Sequence, residues 1–199
     1  MITAIIERIS LPDNPAVYAV IETILLFLAV LILGFLIELI NRTITNALAG
    51  IIGSVPAFIL RNYLTYPGTV HHELSHALLA LITGAAVKKI VLFPKGNTLG
   101  SVEIEPRGNL FFRALQLSLS AIAPVIMGVI SLFSLWSFVL PKIGELWQYI
   151  LFWYIFVSII LHMSLSGADY WNFFKGLLPS ILVFFLVFLL LGSFGIRFG

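Results

Sequence analysis

The sequence predicts an all-α polytopic membrane protein, a helical bundle of about five or six transmembrane segments with one small β-hairpin. Hydrophobic residues make up 60% of the chain and charged residues only 10%, and the mean hydropathy is +1.10. A soluble domain carries about 25% charged residues, so too few polar side chains remain here to cover a surface in water. We therefore expect residues 1–199 to form a single integral, multi-pass domain in a lipid bilayer, in the cell membrane.

Charge and cysteine content exclude several classes of site. The net charge is +2 and the chain has no run of Lys and Arg residues, so we expect no nucleic-acid partner. Without any cysteine, the chain can form neither disulfides nor thiolate metal sites.

The helical prediction depends on long apolar runs. A helix needs about 20 mainly apolar residues to cross the hydrocarbon core. Polar or structure-breaking residues separate four runs that meet this requirement. They are Val17–Ile37, Ala114–Leu140, Leu146–Leu165 and Leu177–Ile196.

The stretch from Asn46 to Thr83 is apolar but interrupted by glycine and proline. We expect an apolar segment at about Ala47–Leu60, then a break at Pro67-Gly68, then a helix at about Thr69–Thr83. Irregular backbone at membrane depth persists only where protein or a water-filled cavity satisfies its polar groups. The break therefore predicts a wet pocket inside the bundle.

The helix after this break carries the sequence His-Glu-Leu-Ser-His at residues 72–76. Residues four apart share a helix face, so His72 and His76 can offer two imidazoles to one tetrahedral metal ion. Glu73 lies beside that face, where it can hold and deprotonate a metal-bound water. The plainer alternative is a polar helix end with hydrated histidines.

A β-hairpin is predicted after the motif helix, within residues 85–108. Val87–Phe93 and Leu99–Pro106 are rich in β-branched residues and flank a Pro-Lys-Gly-Asn-Thr turn at residues 94–98. Two interpretations stay open. The hairpin either only connects two helices, or it offers an edge strand to which an extended substrate can add.

A catalytic zinc site needs a third protein ligand and leaves one position for water. The acidic candidates Glu103 and Glu105 alternate along the predicted hairpin, which is typical of a solvated face, and Glu145 lies in a short interfacial loop. His162 and Asp169 remain, both near the end of an apolar run.

Asp169 is the preferred third ligand because it lies among small and polar residues that interrupt a hydrophobic run. The alternative is that Asp169 only caps a helix that begins at Tyr170, since Asp is a favoured N-cap residue. We expect His162 to line the same cavity or to bond a neighbouring helix, although it remains a second candidate ligand. His71 points away from the His72/His76 face.

With these residues in place, the chain resembles the intramembrane metalloproteases of the site-2 protease type. The resemblance covers residues 69–176, the expected catalytic core. It consists of the motif in an apolar helix, the hairpin, an Ala123-Pro124 break and a later aspartate. It implies a helical membrane bundle with zinc bound by His72, His76 and Asp169, and with Glu73 as general base.

The chain also departs from that family. Ala123-Pro124 stands where the family usually has Gly-Pro, and the family's Asn-x-x-Pro and the Gly after the Asp are missing around Asp169. The group that steadies the oxyanion is therefore left open, with His162 and Ser166 as candidates for that role or for supporting the ligands.

We thus expect an intramembrane zinc metalloprotease whose partner is a membrane-protein substrate, cut in or near a transmembrane segment. One alternative is a zinc amidase or esterase acting on a lipid-linked molecule. Another is a non-catalytic zinc scaffold with a closed site, in which His162 is the fourth ligand. All three require that His76 and Asp169 lie at one depth. The Asp169 segment must therefore dip inward, or the motif helix must begin deep in the membrane.

Overall fold

The structure is a computed structural model that describes residues 14–93 and 100–196. Within these residues the chain forms seven α-helices and one two-stranded antiparallel sheet. The prediction of a mostly helical fold with one hairpin is confirmed. The turn expected at residues 94–98, together with Leu99, lies outside the described residues.

The elements follow one another with short connections. After α4 the chain continues through a π turn (Leu135–Val139) and a 3-10 turn (Leu140–Lys142) before α5. The bounds are α1 Pro15–Ile52, α2 Ser54–Leu64, α3 Tyr66–Ile82, β1 Ala86–Val91, β2 Ser101–Glu105, α4 Leu110–Ser134, α5 Leu146–Leu161, α6 Gly167–Lys175 and α7 Leu177–Ser193.

Two helical stretches among the described residues are long and apolar enough to cross a membrane. They are Pro15–Ile52, which is α1, and Leu110–Lys142, which is α4 with its two turns. The pair α6 and α7 is bent by 68° and makes a third if it is taken as one broken span, while α5 is a shorter apolar helix.

Two sequence-based boundaries are wrong. The segment Ala47–Leu60 is not one unit, because α1 continues to Ile52 and ends at Gly53, whose φ of 87° is readily adopted only by glycine. Pro67-Gly68 is not a break either, since α3 begins at Tyr66. Proline fits the first turn of a helix because the N–H it lacks would have no helical acceptor there.

The hairpin pairs β1 with β2 and has an irregular register at Lys88. Ile90 lies opposite Val102, and the register shifts between Val87 and Lys89. Lys88 Nζ lies 2.7 Å from Glu105 Oε2, and this hydrogen bond and the lysine charge lower the pKa of the Glu105 carboxyl. Glu103 and Glu105 are exposed, in agreement with the predicted solvated face.

The hairpin lies along the motif helix. β1 follows directly after α3, and Phe93 beyond its far end stacks on Tyr66 at the start of α3, with ring centroids 5.5 Å apart. Since α3 has 17 residues, the hairpin follows it for about 25 Å. This arrangement brings β2 beside the motif.

A buried apolar cluster joins α1, α4, α5 and α6. Phe173 of α6 is fully buried and packs on Phe27 of α1 at 5.5 Å between ring centroids, and Ile122 of α4 belongs to the same cluster. Because Phe173 lies one turn after Asp169, this packing holds the N-terminal end of α6 inside the bundle.

Candidate metal centre

Three side chains from α3 and α6 converge on one point. His72 and His76 lie on adjacent turns of α3, and their Nε2 atoms are 3.0 Å apart. Asp169 Oδ1 lies 3.6 Å from His76 Nε2. One ligand atom from each of the three residues lies within 4.8 Å of the others. This group can hold a metal ion.

Hydrogen bonds determine which ring nitrogens are free. His72 Nδ1 lies 2.6 Å from the His162 carbonyl oxygen, and His76 Nδ1 lies 2.7 Å from the Ser120 carbonyl oxygen. A carbonyl only accepts, so each Nδ1 carries the proton and each neutral ring has a lone pair on Nε2. Two lone pairs that face each other at 3.0 Å repel unless a cation lies between them. The arrangement therefore suits a metal ion.

Both accepting carbonyls are free because of local sequence. Pro124 lies inside α4 and has no N–H, so the carbonyl four residues earlier, that of Ser120, lacks its helical donor. His162 is the residue at which α5 ends, and carbonyls at a helix end have no helical partner. Ser120 Oγ also donates to the His76 carbonyl at 2.9 Å, which joins α3 to α4 a second time.

Asp169 is oriented by the start of its helix. The N-cap of α6 is Ser166, and Asp169 occupies the third position of the helix. Asp169 Oδ2 accepts from the Ser166 backbone N–H at 2.8 Å and from Ser166 Oγ at 2.6 Å. The expected alternative is wrong about the start of the helix, which is Gly167 and not Tyr170, but Asp169 does take part in capping, as the third residue of a capping box with Ser166. Oδ2 is held by Ser166 and Oδ1 is left for a metal.

Two of the three ligand separations are close to those around a tetrahedral ion, and the third pair, His72 and Asp169, lies within 4.8 Å. Ligand atoms bound at about 2.0–2.1 Å to such an ion lie about 3.3 Å from one another. The separations of 3.0 and 3.6 Å from His76 Nε2 to the other two ligand atoms fall on either side of this value. Metal-bound histidines commonly donate their other N–H to a backbone carbonyl, as both do here.

Glu73 is buried next to the group without belonging to it. Its side chain packs against Gly100, which lies just before β2. A Cβ added to Gly100 would lie 2.6 Å from Glu73 Cγ and 2.8 Å from Glu73 Oε1. Only glycine leaves this space for the glutamate. Its role as general base stays a prediction.

A cavity of about 700 Å³ reaches all four residues of the expected site. His72, Glu73 and His76 of α3 lie on its wall with Asp169 of α6. Three β2 residues also line this cavity, namely Ser101, Val102 and Ile104. The hairpin is thus part of the site.

The other two histidines are engaged elsewhere. His162 lines the cavity, its Nδ1 donates to the Ser158 carbonyl at 3.0 Å, and its Nε2 accepts from Thr69 Oγ1 at 3.1 Å. Neither ring nitrogen is left for a metal. His71 Nε2 lies 2.9 Å from Ser131 Oγ of α4, away from the group, as the sequence predicts.

Asp169 can reach the motif because α5 ends at Leu161. The carbonyl of His162, directly after α5, contacts His72, and α6 begins only five residues later at Gly167. Helix α6 then bends by 68° into α7.

Sequence reasoning missed several residues of this site. Pro124 was noted only as a break, although its offset from Ser120 identifies the free carbonyl. Arg61 of α2 and Asn172, one turn after Asp169 on α6, also line the cavity. The signal for Arg61 was a charged residue in an apolar segment.

Comparison of the chain with protein-family models, with curated proteins and with solved structures finds no match. The metal group, the cavity and the hairpin are the features that bear on function.

Proposed function

We propose that the chain is an intramembrane zinc metalloprotease, which hydrolyses a peptide bond in or near a transmembrane segment of a membrane-protein substrate. One observation carries the proposal. The facing Nε2 atoms of His72 and His76, 3.0 Å apart, lie beside Asp169 and Glu73 in one cavity. The sequence's resemblance to site-2 proteases supports the same reaction.

The outer surface supports a multi-pass membrane protein. Large apolar side chains point outward from the long helices, among them Phe35 of α1 at 60% exposure, Phe133 of α4 at 66% and Leu190 of α7 at 59%. In water such a surface would drive aggregation, whereas in a bilayer it faces lipid tails. We place the metal group inside this bundle.

Two histidines and one carboxylate are a typical ligand set of catalytic zinc, with the fourth position left for water. When bound, zinc polarises the scissile carbonyl and lowers the pKa of a water towards ~7. The chain's own contribution is orientation. Ser120 and His162 hold the two rings through their carbonyls, and Ser166 holds Asp169.

Glu73 moves the proton in this mechanism. Its carboxylate takes a proton from the attacking water and delivers it to the leaving amine nitrogen as the peptide C–N bond breaks. The carboxylate lies on the cavity wall one residue from His72, so both the water and the amine can reach it.

The hairpin provides a place for the unwound substrate. Among the described residues β2 pairs only with β1, so its second edge has free backbone groups. Ser101, Val102 and Ile104 of β2 line the cavity. An extended peptide that adds to this edge would pass in front of Glu73.

A closed zinc scaffold is less well supported. It needs His162 as a fourth ligand, and the two ring nitrogens of His162 bond Ser158 and Thr69 instead. A lipid-linked substrate is distinguished by the hairpin, because proline substitutions along residues 99–104 would then leave turnover intact.

The test is cleavage in proteoliposomes. Zinc-loaded wild type, Glu73→Gln and the exposed control Glu103→Gln are incubated with a pool of synthetic transmembrane peptides, and new termini are identified by mass spectrometry. We expect cleavage by wild type and Glu103→Gln, and none by Glu73→Gln although it keeps its zinc. Cleavage by Glu73→Gln at the wild-type rate would contradict the mechanism.

A further inference from the structure

The cavity wall carries one arginine whose hydrogen-bond donors are largely unused. Arg61 of α2 lines the same cavity as His72 and Asp169. Its Nη1 donates one long hydrogen bond, 3.3 Å, to Thr45 Oγ1 of α1. Its Nε is buried and has no hydrogen-bond partner among the described residues. Because a guanidinium has five N–H donors, most of its hydrogen-bonding capacity is unused.

The acidic residues on the cavity wall are engaged with other groups. Glu38 accepts a 2.8 Å hydrogen bond from Arg42 Nε. Asp169 belongs to the metal group, and Glu73 packs against Gly100 beside it. Within the described part of the chain, no carboxylate forms an ion pair with Arg61.

Arg61 is the one Lys or Arg side chain among the described residues that line the cavity. Its acidic neighbour, Glu38, acts on it by charge but forms its short hydrogen bond with Arg42 instead. The buried Nε–H of Arg61 is therefore left without an acceptor within residues 14–93 and 100–196. A buried donor of a charged group is costly to leave unpaired, and an acceptor that binds in the cavity lowers that cost.

We propose that Arg61 forms an anion-binding subsite of the cavity that recognises a carboxylate on the peptide substrate. The carboxylate is supplied by an Asp or Glu side chain or by the C-terminus of the chain being cut. A guanidinium suits this ligand because its planar fork donates two parallel hydrogen bonds to one carboxylate. The subsite rests on the proposed peptidase function and adds a preference for acidic substrates to it.

The test measures binding instead of turnover. Peptides with an N-terminal succinyl hydroxamate, which binds an open zinc site, are titrated calorimetrically into the zinc-loaded full-length chain in detergent. One series compares a C-terminal acid with the matching amide. The other series keeps the amide and places Asp or Asn at successive positions. The two series distinguish the terminal from the side-chain carboxylate.

We expect one acidic probe to bind about 10- to 100-fold more tightly than its neutral twin. Arg61→Gln removes this preference and leaves binding of the neutral twin unchanged, and Arg61→Lys, which keeps the charge without the fork, retains part of it. Arg113→Gln, which removes an exposed arginine of α4, keeps the full preference.

Two results would overturn the subsite alone. The first is equal binding of acidic and neutral probes by wild type, a result that does not depend on the folding of any variant. The second is an undiminished preference for the acidic probe in Arg61→Gln. Failure of every hydroxamate to bind the zinc-loaded chain is a different result. It would contradict the open metal site, and the subsite that rests on it would fall too.

Discussion

His76 Nδ1 donates a 2.7 Å hydrogen bond to the backbone carbonyl of Ser120, a carbonyl that is free because Pro124 lacks the N–H that would otherwise bond it. A proline inside a helix normally only costs stability. Here the proline leaves a backbone acceptor that orients His76, so the ligand geometry depends on the interruption in α4.

The first prediction concerns this proline. Pro124→Ala restores an N–H that competes for the Ser120 carbonyl, so zinc affinity should fall about 10- to 100-fold, as it does when an outer-shell partner is lost. Alanine is a far better helix residue, so thermal stability of the metal-free protein should stay equal or rise. Affinity is measured by competition with a chelator. Pro141→Ala, in the exposed turn after α4, is the control. Equal zinc affinity in both variants would refute the claim that Pro124 helps to orient His76.

The second prediction concerns Ser166, which holds Asp169 through two hydrogen bonds to Oδ2. Ser166→Ala removes the hydroxyl bond and the N-cap, so zinc affinity should fall about tenfold and Ser166→Thr should restore most of it. Ser164→Ala, on the same cavity wall, is the matched control. If Ser166→Ala binds zinc like wild type, Ser166 does not position the ligand.

The third prediction concerns Gly100, whose missing side chain leaves room for Glu73. Gly100→Ala would place a Cβ 2.6 Å from Glu73 Cγ, which displaces either the glutamate or β2. We expect cleavage to slow on the order of a hundredfold while zinc content is kept, because a small displacement of a catalytic group is costly. Gly144→Ala, with no atom near its Cβ, serves as control. Unimpaired cleavage in Gly100→Ala would show that this contact does not position Glu73.

The sequence predicted the chemistry of the site better than its helix boundaries. His72, Glu73 and His76 could be found because residues four apart meet on any helix, wherever it begins. The end of α1 could not, because apolar residues lie on all sides of this helix and no periodicity marks where it stops. The start of α3 could not, because a proline begins a helix as readily as it interrupts one. Glycine and proline both interrupt the apolar stretch, yet Gly53 ends a helix and Pro67 lies in the first turn of one.

The supporting contacts depend on tertiary structure. Local sequence explains why two carbonyls lack helical donors, since Pro124 frees that of Ser120 and the end of α5 frees that of His162. Their contacts with His76 and His72 depend instead on how α3 packs on α4 and α5. The proposed role of Arg61 likewise depends on which of its hydrogen-bond donors find partners, and only the packing of the helices shows this. Local sequence identifies such groups and cannot say which of them meet.

The central claim is most directly tested by the zinc content of the detergent-purified chain, measured by elemental analysis against protein concentration. The account predicts about one zinc per chain in wild type, His71→Ala and His162→Gln, and loss of zinc in His76→Ala and Asp169→Ala. His71 and His162 bond Ser131 and Thr69 and so serve as matched histidine controls. Absence of zinc from wild type, or its full retention in Asp169→Ala, would contradict the account.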